Sequence, residues 1–272
     1  MNLQLKACDI RKDIITLIHR AKTGHIGGDL SVTDILVALY YKHLNVTPEN
    51  TADPNRDRFI LSKGHSVESL YCVLADCGFF PKEDLKTYSA YASKYIGHPN
   101  NKINGIEMNT GSLGHGLSVG VGMALAGKMD RLDYRVYAVM GDGEMEEGSV
   151  WEAVTAGAHY KLDNLTAFVD RNHLQISGTT ENIMMQDKQE ERWAAFGWHV
   201  ISVLGNDIDA LDEAITEAKT TKGMPTVIIA NTTKGCGVSF MENQAGWHHR
   251  VPTDAEYEQA INELNQRRAQ YE

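Results

Sequence analysis

The chain has 272 residues, 42% of them hydrophobic, and a formal net charge of −10. A chain of this length buries roughly three quarters of its unfolded surface and needs no covalent staples. Its acidic balance argues against nucleic-acid and anionic-membrane partners, both of which favour a basic face.

Cys8, Cys72, Cys77 and Cys236 form no CxxC and no zinc-like spacing with histidine. They read as buried or half-buried thiols of a reducing cytosol. The charged, amphipathic start MNLQLKACDIRKDII lacks the apolar core of a signal peptide, and no apolar run reaches the ~18 residues of a membrane span. The chain is therefore expected to be cytoplasmic. No repeat or low-complexity linker interrupts it, which favours one domain over 1–272.

Residues 3–21 carry Leu5, Ile10, Ile14, Ile15 and Ile18 at helical spacing and predict a helix. Gly24, Gly27 and Gly28 are expected to break it. Ser31 is the expected N-cap of a second helix, VTDILVALYYKHL. RDRFILS (56–62) predicts a short strand stopping at the loop KGH, and VESLYCVLADC (67–77) a helix. A long loop, 92–112, leads to a small-residue helix over 113–130. Four more strands are expected at 135–140, 165–170, 199–204 and 225–232, separated by helices at 148–160, 187–196 and 208–221. A last, charged helix over 254–270 is expected to be peripheral. This alternation predicts an α/β fold: a doubly wound, mostly parallel sheet with helices on both faces. In such sheets ligands bind at the carboxyl ends of the strands.

Two of those strand ends carry chemistry. AVM runs into GDGE, where Gly141 and Gly143 let the chain turn sharply and bring backbone N–H groups near a ligand. The helix that follows attracts anions at its N-terminus, yet Asp142 is itself an anion. A divalent cation shared with a phosphate ligand reconciles the two. Asn172 ends the next strand, thirty positions on, and offers an amide oxygen; the Leu174 carbonyl offers a third ligand. Four histidines also stand in loops beside glycine or at a strand end: His25 (TGHIGG), His65 (SKGHS), His98 (IGHPN) and His248 (GWHH). Imidazoles there can donate to phosphate and sugar oxygens and move protons near neutral pH.

The GDG–Asn pair resembles the thiamine diphosphate (ThDP) binding motif. GDGEMEEGSVWEA, KLDNL and DRNHLQISG resemble transketolases in particular, as do TGHIGGDLS, DRFILSKGHS, GHP, TGSLGHGLS and AFGWHV, across nearly the whole chain. The resemblance implies that Asp142, Asn172 and the Leu174 carbonyl bind Mg²⁺ (or Ca²⁺ or Mn²⁺), which holds the diphosphate. It places Gly141, Gly143 and Glu144 at the diphosphate, Gly143 through its N–H, and Gly111, Ser112 and Leu113 against the aminopyrimidine. His25 and His98 would bond ketose hydroxyls. His65 and His248 would lie near the diphosphate and the reacting carbon, stabilising oxyanions and moving protons. Lys63 and Lys234 would face the diphosphate. Glu147 and Glu152, which alone read as a solvated helix face, match acids at a subunit interface that links two active sites. His115 stands where the family often has Gln, and its role stays open.

The resemblance implies transfer of a two-carbon ketol unit from a ketose phosphate to an aldose phosphate. In the family, the glutamate that activates the pyrimidine lies in a second, pyrimidine-binding domain, as do most sugar-phosphate arginines. No second block of apolar strands follows PTVIIANT. The chain is thus expected to be the N-terminal, diphosphate-binding subunit of a split transketolase. A separate C-terminal subunit would complete the site in an α2β2 heterotetramer, and the chain alone would be nearly inactive. Rival readings are a transketolase-like pair acting on a sulfonated or otherwise modified sugar, the ThDP-binding alpha chain of a 2-oxo acid dehydrogenase, and a non-catalytic ThDP-binding module.

Overall fold

Apolar runs too short for buried helices become strands: β1 (Arg58–Leu61), β2 (Val136–Gly141), β3 (Leu165–Arg171), β4 (His199–Leu204) and β5 (Thr226–Asn231). The computed structural model describes residues 1–272. The helices are α1 (Leu3–Ala21), α2 (Ile26–Ala38), α3 (Val67–Asp76), α4 (Gly116–Asp130), α5 (Gly148–His159), α6 (Thr180–Ile183), α7 (Gln189–Ala195), α8 (Ile208–Thr220) and α9 (Asp254–Ala269). All strands pair in parallel in the order β1-β2-β3-β5-β4.

Because strand side chains alternate, each central strand feeds two cores. Tyr137, Val139, Phe168, Ile228 and Ala230 join a core built with α1, α2, α3, α8 and α9. Val136, Ala138, Met140, Ala167, Val169, Val227 and Ile229 join the opposite one, closed by α4, α5 and α7 around Trp193 and Trp198. The expected doubly wound parallel sheet is therefore present, with helices on both faces.

The N-terminal quarter departs from expectation. The second helix begins at Ile26 with His25 at its N-cap, so Gly27 and Gly28 lie inside it rather than breaking the chain, and Ser31 is not its cap. Glycine serves close approach there: a Cβ on Gly27 would fall 2.7 Å from the Trp247 carbonyl. The Ser31 hydroxyl instead donates to the Gly28 carbonyl at 3.0 Å and to Asp170 at 2.7 Å. The helix also ends early, passing into a π-turn over Leu39–His43. The small-residue helix starts at Gly116, leaving 113–115 in the loop. The last helix is peripheral as expected; it packs against α1, burying Ala260 and Leu264, and opens with a capping box between Thr253 and Glu256.

One buried pair ties α1 to α2. Arg11 is 2% exposed and donates to both carboxylate oxygens of Asp34, at 3.1 and 2.5 Å, and to the Leu30 carbonyl at 3.0 Å. Removing one partner leaves an uncompensated buried charge. Arg11→Leu is expected to destabilise the chain by about 3–5 kcal/mol, measured by denaturant unfolding of the full chain.

Candidate active site

The carboxyl ends of β2 and β3 lie side by side, Gly141 opposite Asp170 in the register. A cleft of about 370 Å³ opens above them. Asp142 follows β2 and is 3% exposed. One of its oxygens accepts from the Gly143 N–H at 2.9 Å and the other from the His173 N–H at 2.6 Å. Burial, then the nearby Asp170 charge, push its carboxyl up to about 6. His173 takes the left-handed conformation, φ 61°, rare for a non-glycine residue, which wraps the DRNHL turn around Asp142. Asn172 is buried in that turn, and its Oδ1 accepts from the Leu174 N–H at 3.2 Å.

Asp142, Asn172 and Leu174 thus line one cleft, as expected for metal ligands. The donor set is one carboxylate, one amide oxygen and one carbonyl, all hard oxygens, which suits Mg²⁺ or Ca²⁺ rather than softer ions. No group of three or more His, Cys, Asp or Glu side chains is arranged to hold a metal ion. A buried carboxylate whose bonded partners are neutral N–H groups fits a cation placed against it.

The four expected histidines converge. His25 lies 5.3 Å from His65, 6.4 Å from His98 and 5.7 Å from His248, ring centre to ring centre, and His65 lies 5.5 Å from His248. A fifth, His249, which the sequence did not single out, is 4.5 Å from His25. Burial is the leading cause that lowers His25 to about 4 and His248 to about 3; it also depresses His65 and His98. His25, His65, His98 and His248 are therefore neutral at physiological pH, offering N–H donors rather than fixed charges. Lys234 donates to Nδ1 of His248 at 2.9 Å, which leaves the proton of that ring on Nε2. Lys234 also reaches the Leu174 carbonyl at 3.3 Å, and burial, then Lys63, draw it down to about 8.

Lys63 lines the cleft but aims its ammonium at Asp170, 2.5 Å away, and at the Gly28 carbonyl, 3.1 Å away. Asp170 was missed, although a lone acid closing the apolar run LTAFVD signals a buried cation partner. Glu144 lines the cleft while bracing its floor: it accepts from the Ser62 hydroxyl, the Gly114 N–H and the Gly141 N–H. Gly111 and Leu113 line the cleft, whereas Ser112 is exposed beside His115 at the rim. Glu147 and Glu152 are exposed at the start of α5, outside the cleft. Gln175, also overlooked, closes the cleft wall opposite Gly143.

The family model described as the thiamine diphosphate binding domain of transketolase matches residues 4–268. The chain is 49% identical to one subunit of the apulose-4-phosphate transketolase of Phocaeicola vulgatus, over 97% of this chain and 94% of that protein. It is 42% identical to a 6-deoxy-6-sulfo-D-fructose transketolase subunit of Clostridium sp., over 97% and 96%. Human transketolase is 39% identical over 90% of this chain, but the match spans only 39% of that longer protein. The solved transketolase from Campylobacter jejuni superposes with a TM-score of 0.90 at 28% identity, covering 100% of this chain and 46% of that one.

Because the native histidines resist protonation while the unfolded chain does not, the unfolded state binds more protons below the ordinary imidazole value of ~6.5. Stability is expected to fall as pH drops from there toward about 4, the His25 value. An NMR titration should show the His25 ring neutral down to about pH 4; an ordinary imidazole midpoint would contradict the closed cluster.

Proposed function

The chain belongs to the transketolase family through its thiamine diphosphate binding domain, and on that premise we propose how its residues serve the reaction. The observation that carries the proposal is the meeting of Asp142, Asn172, Leu174 and four predicted histidines in one cleft. Asp142, Asn172 and the Leu174 carbonyl would hold a divalent cation that binds the diphosphate of ThDP. When bound, the cofactor supplies the carbanion chemistry for two-carbon ketol transfer.

The chain's own part is to bind, orient and move protons. His248 presents its Nε2–H and Lys234 its positive charge on the cation's side of the cleft, suited to a diphosphate or a developing oxyanion. His25 and His98, neutral and flanked by glycine turns, suit the hydroxyls of a ketose as donors or acceptors. His65, packed against both His25 and His248, can pass a proton between the sugar side and the diphosphate side. The backbone of Gly111 and Leu113 offers a wall for the aminopyrimidine.

The chain spans 39% of human transketolase and 46% of the Campylobacter protein, and relatives of its own length are named as transketolase subunits. These facts support a separate partner subunit; in our reading it is the C-terminal half that brings the activating glutamate, in an α2β2 heterotetramer with Glu147 and Glu152 at an interface. No helix is long and apolar enough to cross a membrane; a cytoplasmic enzyme acting on sugar phosphates fits. A second reading, in which the natural sugar is a modified one, draws on the names of the relatives at 49% and 42% identity, which refer to apulose-4-phosphate and 6-deoxy-6-sulfo-D-fructose.

Asp142→Ala is expected to weaken Mg²⁺-dependent ThDP binding by more than ~100-fold, beyond the loss typical of outer-shell changes. Titration calorimetry of the full chain with and without Mg²⁺ measures it, with circular dichroism confirming the fold; equal affinity in variant and parent would refute the metal assignment. The purified chain, given ThDP, Mg²⁺, a ketose donor and an aldose acceptor, is expected to show almost no ketol transfer. Robust turnover without a second subunit would overturn the split-site reading.

A further inference from the structure

We propose that Asp29 and Glu68 share a single proton and act as a clamp that fixes the spacing of the His25 and His65 loops. They are positioning residues, outside the cleft and touching neither cofactor nor sugar.

Asp29 lies in the first turn of α2 and Glu68 in the first turn of α3, and both are 0% exposed. One oxygen of each is satisfied: Asp29 accepts from the Ser69 N–H at 2.8 Å, and Glu68 accepts from the Tyr88 hydroxyl at 2.5 Å. The other two, Asp29 Oδ2 and Glu68 Oε2, are buried with no donor. The Ser69 N–H that reaches Asp29 belongs to the residue after Glu68, so the two carboxyls are neighbours in the core. Two carboxylates are both acceptors, so only a proton held between them gives each a partner.

No cation is available to take that role. Lys63, the positive side chain felt by Asp29, is bonded to Asp170. The remaining titratable groups facing the pair are Tyr71, Cys72 and Tyr88, all held in their neutral forms by burial, and His25, whose backbone N–H favours the Glu68 carboxylate. Burial raises both acids, Asp29 well above its ordinary value, and the Glu68 charge raises Asp29 further. The pair therefore keeps a proton at neutral pH and loses it as pH rises. Below that transition the clamp is intact; above it, two buried negative charges repel.

The clamp grips the histidine loops directly. The Asp29 N–H donates to the His25 carbonyl at 3.2 Å. Gly24, at φ +151°, presses the preceding turn so close that an added Cβ would fall 2.7 Å from a Glu68 carboxylate oxygen. His65 lies three residues before Glu68, in the turn that opens α3. Tyr71, one turn further along α3, donates to the His98 carbonyl at 3.2 Å. Moving α3 relative to α2 would thus shift three of the five clustered rings.

The test is a pH titration of the full-length chain followed by infrared difference spectroscopy and by NMR of the histidine rings. The unmodified chain should show a protonated-carboxyl band at neutral pH that disappears on the alkaline side, with the His25 and His65 resonances moving in the same step. In Glu68→Gln the amide N–H replaces the shared proton permanently. Both the band and the alkaline histidine step should be lost, with the rings staying at their neutral-pH positions. Should that variant not fold, Asp29→Asn makes the same substitution from the other side. Absence of the band in the unmodified chain, or an unchanged histidine step in either amide variant, would overturn the clamp. Neither readout uses ThDP, metal or a second subunit. A chain that passes these tests yet supports no ketol transfer with a partner would sink the proposed function and leave the clamp standing.

Discussion

The site rests on a buried ion pair. Lys63, from the loop after β1, meets Asp170, next to last in β3, at 2.5 Å, and neither is exposed beyond 1%. Ser31 from α2 donates to the same carboxylate, and Thr232, just after β5, donates to its other oxygen. One carboxylate thus gathers four segments, with partners as far apart in the sequence as Ser31 and Thr232. Its negative charge also disfavours ionisation of Asp142, which follows its register partner Gly141. A buried pair of this kind is weak evidence for added stability, because desolvation offsets much of the attraction. Its value lies in geometry: it fixes where the floor of the cleft sits beneath the histidines.

Much of this was legible in the sequence, because the sheet is buried on both faces. Continuous apolar runs such as RVYAVM and LTAFVD, too short for buried helices and alternating with helical patterns, read as central strands of a covered parallel sheet. The proposed metal ligands stood out for a related reason: an acid between two glycines and an amide thirty positions on each close such an apolar run. The start of the second helix was not legible. Gly27 and Gly28 look like breakers by propensity, but the close approach of Trp247 and Lys234 overrides propensity. Asp170 escaped notice because its partner, Lys63, stands 107 residues away: the acid that closes LTAFVD hints at a buried cation but not at which one. His249 was passed over beside His248, since a doublet does not reveal which ring faces inward.

The histidine cluster and the acid beneath it divide the electrostatic work. Burial keeps the imidazoles neutral, so they can bind polar oxygens without holding a charge of their own. The fixed charges, Asp142, Asp170, Lys63 and Lys234, lie deeper, where the diphosphate and its cation are proposed to sit. A cleft arranged in this way presents an uncharged, hydrogen-bonding mouth to a sugar and a charged base to the cofactor tail.

Lys234 gives that base a further property. Its ammonium rests against the Leu174 carbonyl and His248, within the field of Asp142 and Asp170. A tethered monovalent charge therefore occupies the neighbourhood that a dication is proposed to take. A dication bound to that carbonyl would have to displace the ammonium from it, and the lysine would then be free to turn its charge toward an anionic ligand. Lys234 is thus a built-in counter-ion for the buried acids at the cleft floor.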